Sequence, residues 1–235
     1  MSFYELEYIH FFDKNDGKKR RQIGDANGEK VPNGKYYFDR MGTGEIIKEA
    51  PVFDYFYLMS FDKPQFWEWR LQDIHGFIGE YPTGGTRYIS DRFKKLIEQY
   101  SIAKGFWFYP TNLMYKEVKH DYWIFQYATI DEGIDNKVYL NYQKSEFFDA
   151  DKNSLVSAVN FEEYNTIRKK IQRDSDYEKD IIPKKIVLNQ NVDFIPMYGI
   201  IDSGIIISER LKEAIEKLGL EGFKFLELDY EVVIE

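Results

Sequence analysis

Two stretches of this chain are written in nearly the same residues, and that match constrains the fold more than any other feature. From Ile89 the chain reads ISDRFKKLIEQYSIAKGFWFY, and from Ile207 it reads ISERLKEAIEKLGLEGFKFLE. Each opens with isoleucine, serine, an acid and arginine, and each ends in Gly-Phe-x-Phe or Gly-Phe-x-Phe-Leu after an amphipathic stretch. Ser90 and Ser208 suit helix N-caps, and Asp91 puts negative charge at the positive end of its helix. Phe93, Leu96, Ile97 and Tyr100 fall on one helical face, as do Leu211, Ile215 and Leu218. Gly219 stands where a helix end turns left-handed. A weaker echo lies upstream, Phe77, Ile78 and Tyr81 against Phe194, Ile195 and Tyr198. Each run predicts strand, loop, helix, strand. One such unit cannot cover its apolar face, whereas two copies on a shared sheet can.

The rest of the chain is read around this pair. An aromatic-rich strand is expected over residues 4–12. Residues 14–34 are rich in glycine and polar groups and predict a long loop, with the basic run Lys18, Lys19, Arg20 and Arg21 as a solvated part of it. Residues 52–61 predict a strand buried on both faces. Strands are expected at 122–130 and 137–142 around the turn-like DEGIDN, and another at 155–159. Asn160 with Glu163 makes a capping-box-like start for a helix to about Arg173. Short strands follow at 184–188 and 192–195, and a long strand pattern closes the chain over 223–234. The expected class is α+β: a strand-rich mixed or antiparallel sheet with about three helices, built from two degenerate repeats. The repeats span 52–118 and 184–235 around a strand-rich centre, 119–183, in a single compact domain, 1–235.

Composition excludes several kinds of chemistry. The chain has no cysteine, which removes disulfides, thiolate zinc sites and cysteine nucleophiles. A net charge of −8 argues against general nucleic-acid binding. The start, MSFYELEYIH, lacks the basic end and apolar run of a signal peptide. No apolar run approaches the ~18 residues of a membrane span. The expectation is a cytoplasmic protein with neither membrane nor nucleic-acid partners. His10, His75 and His120 show no metal-ligand spacing. Met41-Gly42-Thr43-Gly44 and Pro82-Thr83-Gly84-Gly85-Thr86 read as turns, although the amides of the second could hold an anion. Asp131, Glu132 and Asp135 read as a solvated hairpin tip. No catalytic, metal or cofactor residue is assigned, and no cofactor is expected.

The run I-S-[DE]-R-[FL]-K leading into Gly-Phe-x-Phe resembles bacterial immunity proteins of polymorphic toxin systems, in particular the immunity protein 43 and immunity protein 11 families. The central segment is also similar to theirs, from Tyr122-Trp123-Ile124-Phe125-Gln126 through Asp131 and Asp135 to Leu140-Asn141-Tyr142-Gln143-Lys144-Ser145-Glu146. The resemblance covers residues 52–147 and, more loosely, the last repeat. It implies a non-enzymatic protein that binds and neutralises a toxin encoded beside it, and it carries over no catalytic residues. Many such toxins would be nucleases with basic clefts, towards which an acidic partner is steered. Candidate partner-binding residues are the acids Asp131, Asp135, Glu227, Asp229 and Glu231. The alternative is a small-molecule hydrolase or transferase using carboxylates such as Asp54, Glu80 and Asp131 in an aromatic-lined pocket, which converging polar groups would mark.

Overall fold

The computed structural model describes residues 2–12, 21–63, 66–127, 136–197 and 204–235 of the chain. It is a strand-rich α+β protein with four α-helices and several sheets among these residues. One four-stranded sheet runs in the order β14 (Phe194–Pro196), β15 (Ile205–Ser208), β1 (Phe3–Tyr8), β16 (Phe223–Glu227). A six-stranded sheet runs β4 (Asp25–Asn27), β5 (Phe53–Met59), β9 (Phe106–Tyr115), β10 (Val118–Tyr127), β8 (Thr86–Ser90), β7 (Ile74–His75). A second four-stranded sheet runs β12 (Ser154–Val156), β11 (Glu146–Asp149), β13 (Ile181–Leu188), β17 (Glu231–Ile234). A small one holds β2 (Phe11–Phe12), β3 (Arg21–Ile23) and β6 (Trp67–Glu68). The helices are α1 (Gly34–Gly42), α2 (Asp91–Ile97), α3 (Phe161–Asp174) and α4 (Glu209–Lys217).

Three apolar cores hold these layers together. Phe38 and Met41 of α1 pack on one face of the six-stranded sheet, against Phe53, Phe56, Tyr88, Tyr109 and Leu113. The opposite face supplies Ile74, Ile89 and Phe125 to a second core with Phe93, Leu96 and Ile97 of α2. Leu211 and Ile215 of α4 and Leu6, Phe194, Ile205 and Ile207 of the first sheet complete that core. The alternate residues of the first sheet, Phe3, Ile195 and Ile206, face a third core with Phe147, Ile186 and Leu188, which Tyr164 and Ile171 of α3 cover. Strands β14 and β15 of the first sheet are therefore buried on both faces and correspondingly rich in isoleucine, whereas β1 and β16 keep Glu7, Lys224 and Glu227 exposed.

Strand registers around the two helices correspond. Ile89 pairs with Ile74 on one side and Trp123 on the other; Ile207 pairs with Phe194 and Tyr4. Phe125 pairs with Phe108, and Leu6 with Phe225. Lys94 of α2 lies over the rings of Phe108 and Trp123, and Lys212 of α4 over those of Phe225 and Tyr4. Around α4 the amino-terminal strand β1 thus occupies the position that β10 occupies around α2.

Several expectations need correction. The upstream echo is misplaced, since the ladder matches Ile74, not Phe77, with Phe194; Tyr198 lies outside the described residues. The connection back to the serine is two residues shorter in the second run, as spacings of 17 and 15 from the paired aspartates show, so a fixed offset slips. Residues 21–34 are not all loop: they hold β3, β4 and the start of α1. Lys18 to Arg20 lie outside the described residues. Residues 136–139 form a short 3₁₀ turn rather than a strand. Over 53–59 only one face is buried, by Phe53, Phe56 and Leu58. Leu218 is exposed, because α4 has already ended at Lys217. The closing pattern is two strands in different sheets, antiparallel β16 beside β1 and parallel β17 beside β13.

Candidate partner-binding groove

The break between β16 and β17 creates the surface of most interest. β16 ends at Glu227, the chain bends through Leu228, Asp229 and Tyr230, and β17 starts at Glu231 in another sheet. An aspartate in such a bend stays solvated. Between the two sheets lies a groove of about 480 Å³. Its apolar floor is made by Phe3, Tyr230 and Val232, each largely buried, with Tyr4 and Leu228 on the wall. Glu227 and Glu231 stand exposed on its rim, and Asp229 is exposed at the bend. Glu227 lies opposite Tyr4 in the ladder, and Glu231 opposite Lys185. The surface the groove offers is more polar than apolar, with these core residues beneath it, so a partner would be held chiefly by polar contacts at the charged rim. Of the five candidate acids, Glu227 and Glu231 line the groove and Asp229 is exposed at the bend beside it; Asp131 and Asp135 lie outside the described residues. The floor residues are the part that sequence reasoning missed. The alternation in Tyr-Glu-Val-Val-Ile was their signal, but not the sheet against which they turn.

Of the carboxylates of the enzymatic alternative, the two described residues make different contacts. Asp54 pairs with Lys119 at 2.5 Å. Glu80 is exposed, and its carbonyl accepts the Gly28 amide at 2.7 Å. Asp131 lies outside the described residues.

Polar groups do converge elsewhere, at the starts of α2 and α4. The Ser90 hydroxyl donates to Asp73 Oδ1 at 2.6 Å and accepts the Phe93 amide at 3.1 Å. The Glu221 amide donates to Asp73 Oδ2 at 2.8 Å. The second site repeats the pattern. The Ser208 hydroxyl donates to Asp193 Oδ1 at 2.6 Å and accepts the Leu211 amide at 3.4 Å, and the Ser101 amide donates to Asp193 Oδ2 at 3.0 Å. Each aspartate is thus held by the loop after the other helix. Arg210 adds two bonds to Asp193, both 2.5 Å. Burial pushes the Asp193 carboxyl up, but Arg210, Ser208 and the Ser101 amide outweigh it and hold it below the usual carboxylate range. A serine whose proton and lone pair are both committed in this way is a cap, not a nucleophile. Neither aspartate was singled out from sequence; an aspartate just before the strand that leads each ladder was the available signal.

The first of these sites opens on a cleft of about 360 Å³, lined among others by Asp91, Arg92, His120, Asp121, Tyr122 and Glu221. Beneath it His75 is 1% exposed. Its Nδ1 faces the Gly24 carbonyl at 3.1 Å and its Nε2 accepts the Gln72 amide at 3.1 Å, which assigns the neutral Nδ1–H tautomer. Burial lowers its pKa to about 4. Among the described residues no group of three or more His, Asp or Glu side chains is placed to hold a metal ion. No helix among them is long and apolar enough to cross a membrane.

No protein-family model matches the chain, and no curated protein matches it.

Proposed function

We propose that this chain is an immunity-type binding protein that neutralises a bacterial toxin by occupying it, and that it performs no chemistry of its own. The observation that carries this reading is the groove between β16 and β17, where Glu227 and Glu231 rim a base of Phe3, Tyr230 and Val232 and Asp229 is exposed at the adjoining bend. The net charge of −8 and the resemblance of the two helix runs to immunity proteins support it. A basic partner is drawn in by the acids and held chiefly by polar contacts at the charged rim. Stable neutralisation needs about 1,600 Å² of buried surface in total, so the groove is the centre of a larger contact.

The test is co-expression with the toxin encoded beside this chain, read by growth rescue and by affinity capture of the complex. Rescue with a stable complex is expected, and Glu227→Lys with Glu231→Lys weakens it by about tenfold or more through slower association. Rescue without a complex would favour enzymatic modification of the toxin or its product. A complex indifferent to both substitutions would move the interface away from the groove.

A further inference from the structure

The Pro82-Thr83-Gly84-Gly85-Thr86 turn has no part in the toxin-binding reading, yet it shapes a further pocket of about 260 Å³. Tyr8, Phe77, Tyr81 and Arg87 form its walls with that turn. Gly84 and Gly85 both take positive φ, 74° and 75°, so the backbone curls through two successive left-handed residues. At Gly84 an added Cβ would meet the Gly42 carbonyl oxygen at 3.0 Å, so a side chain is excluded by space as well as by conformation. The Thr86 hydroxyl donates to the Pro82 carbonyl at 2.6 Å and closes the turn. Arg87 Nη1 donates to the Thr86 carbonyl at 2.8 Å, which ties the guanidinium to the same turn.

The walls are held with equal care. Phe77 and Tyr81 stack at 5.5 Å with their planes 3° apart. Tyr8 rests directly on Gly76, where a Cβ would come within 2.5 Å of the tyrosine oxygen. His10 packs on the Tyr8 ring with centroids 3.9 Å apart. A guanidinium fork recognises phosphate, successive turn amides form a concavity for an anion, and aromatic rings accept a flat ring. The pocket lies just below the usual size range of small-molecule sites, which suits a mononucleotide rather than a dinucleotide.

We propose that this pocket binds a phosphate monoester carried on an aromatic ring, of the size of a nucleoside monophosphate. The phosphate sits against Arg87 and the Gly84–Gly85 turn, and the ring lies against Tyr8, Phe77 and Tyr81. The chain's net charge of −8 repels an anion at long range, so affinity rests on these local contacts.

The test uses the full chain, titrated with adenosine monophosphate, with adenosine and with inorganic phosphate, by calorimetry and by amide NMR. Saturable binding of adenosine monophosphate is expected, with weaker binding of the other two and shifts at the amides of Gly84, Gly85 and Thr86. Arg87→Gln weakens the monophosphate by about tenfold or more, the loss of a charge-assisted pair. Tyr81→Ser, at a half-buried position, lowers affinity for the nucleotide but not for phosphate, and serves if the arginine variant does not fold. No saturable binding, or shifts confined to another face, would overturn the proposal. Equal binding of phosphate and nucleotide would overturn the aromatic half of it.

Discussion

The starts of α2 and α4 share a serine cap, a buried aspartate and an arginine, yet one is closed and the other open. At the second site Arg210 forks onto Asp193, whose side chain is wholly buried, and also lies over the Tyr100 ring. At the first, Arg92 is 61% exposed and reaches Asp73 only at 3.6 Å, while its other nitrogen donates to the Leu218 carbonyl at 3.0 Å. One position further along the ladder, Ile195 fills the core at the second site where His75 makes polar bonds at the first. The same local sequence therefore gives the same cap, and the neighbours brought by the rest of the chain decide whether the site is sealed. The sealed site joins two loops as a structural clasp. The open one leaves a charged cleft.

The hardest test of this contrast is to remove the aspartates. Asp193→Ala strands the Ser208 hydroxyl, the Ser101 amide and Arg210, and is expected to cost about 3–5 kcal/mol. Asp73→Ala is expected to cost about 1–3 kcal/mol, because Arg92 is already solvated. Urea midpoints measure both, and equal losses would abolish the distinction.

Next in size is a pH effect that belongs to the first site alone. His75 titrates near 4 when folded, against 6.5 ordinarily, so the unfolded chain takes up the proton first. Stability is then lost as pH falls from 6.5 towards 4, by up to about 3 kcal/mol. Asp25, one residue from the Gly24 carbonyl that His75 bonds, opposes this. Burial raises its carboxyl to about 6 against the lowering bond from Gly76, so it adds stability as pH falls through that range. Asp25→Asn is therefore expected to uncover the histidine slope, and His75→Gln to leave the opposite one. Denaturation at two pH values in each variant measures this, and parallel slopes would remove His75 from the account.

Smaller effects sharpen the comparison. Arg210→Ala is expected to cost about 2 kcal/mol and Arg92→Ala under about 0.5 kcal/mol, since an exposed, distant pair contributes little. Ser208→Ala is expected to cost about 1 kcal/mol through the lost cap. Thermal midpoints of the three variants test the ranking, and an Arg92 loss as large as that of Arg210 would show that the first site is sealed in solution too.

Much of the local structure was legible in the sequence. Ser90, Ser208 and Asn160 each cap a helix as expected, and Gly219 takes the left-handed conformation at φ 60°. Capping and amphipathic spacing act within a few residues, so a short window contains their cause. The candidate groove was half legible. Glu227, Asp229 and Glu231 stood out as charges interrupting a strand pattern, but that they mark a change of sheet was not visible, because each strand's partner lies far away in the chain. The helix α1 was missed: its Gly34 start has Asn33 as cap residue with no side-chain bond, and its tertiary support is the packing of Phe38 and Met41 on the sheet.

What the sequence determined by itself were the helices α2, α3 and α4, their caps, the strand-rich α+β class and the acidity of the surface. These follow from propensity, periodicity and charge, which are properties of neighbours in the chain. Only the tertiary structure decided that β1 completes the sheet beside α4, that Asp73 and Asp193 are clasped by loops from the opposite helix, and that one of these sites is open. Those outcomes rest on pairings such as Phe3 with Ser208 and Asp73 with Glu221, across most of the chain's length. Their stability comes from burying three shared cores at once, a condition that no local window contains.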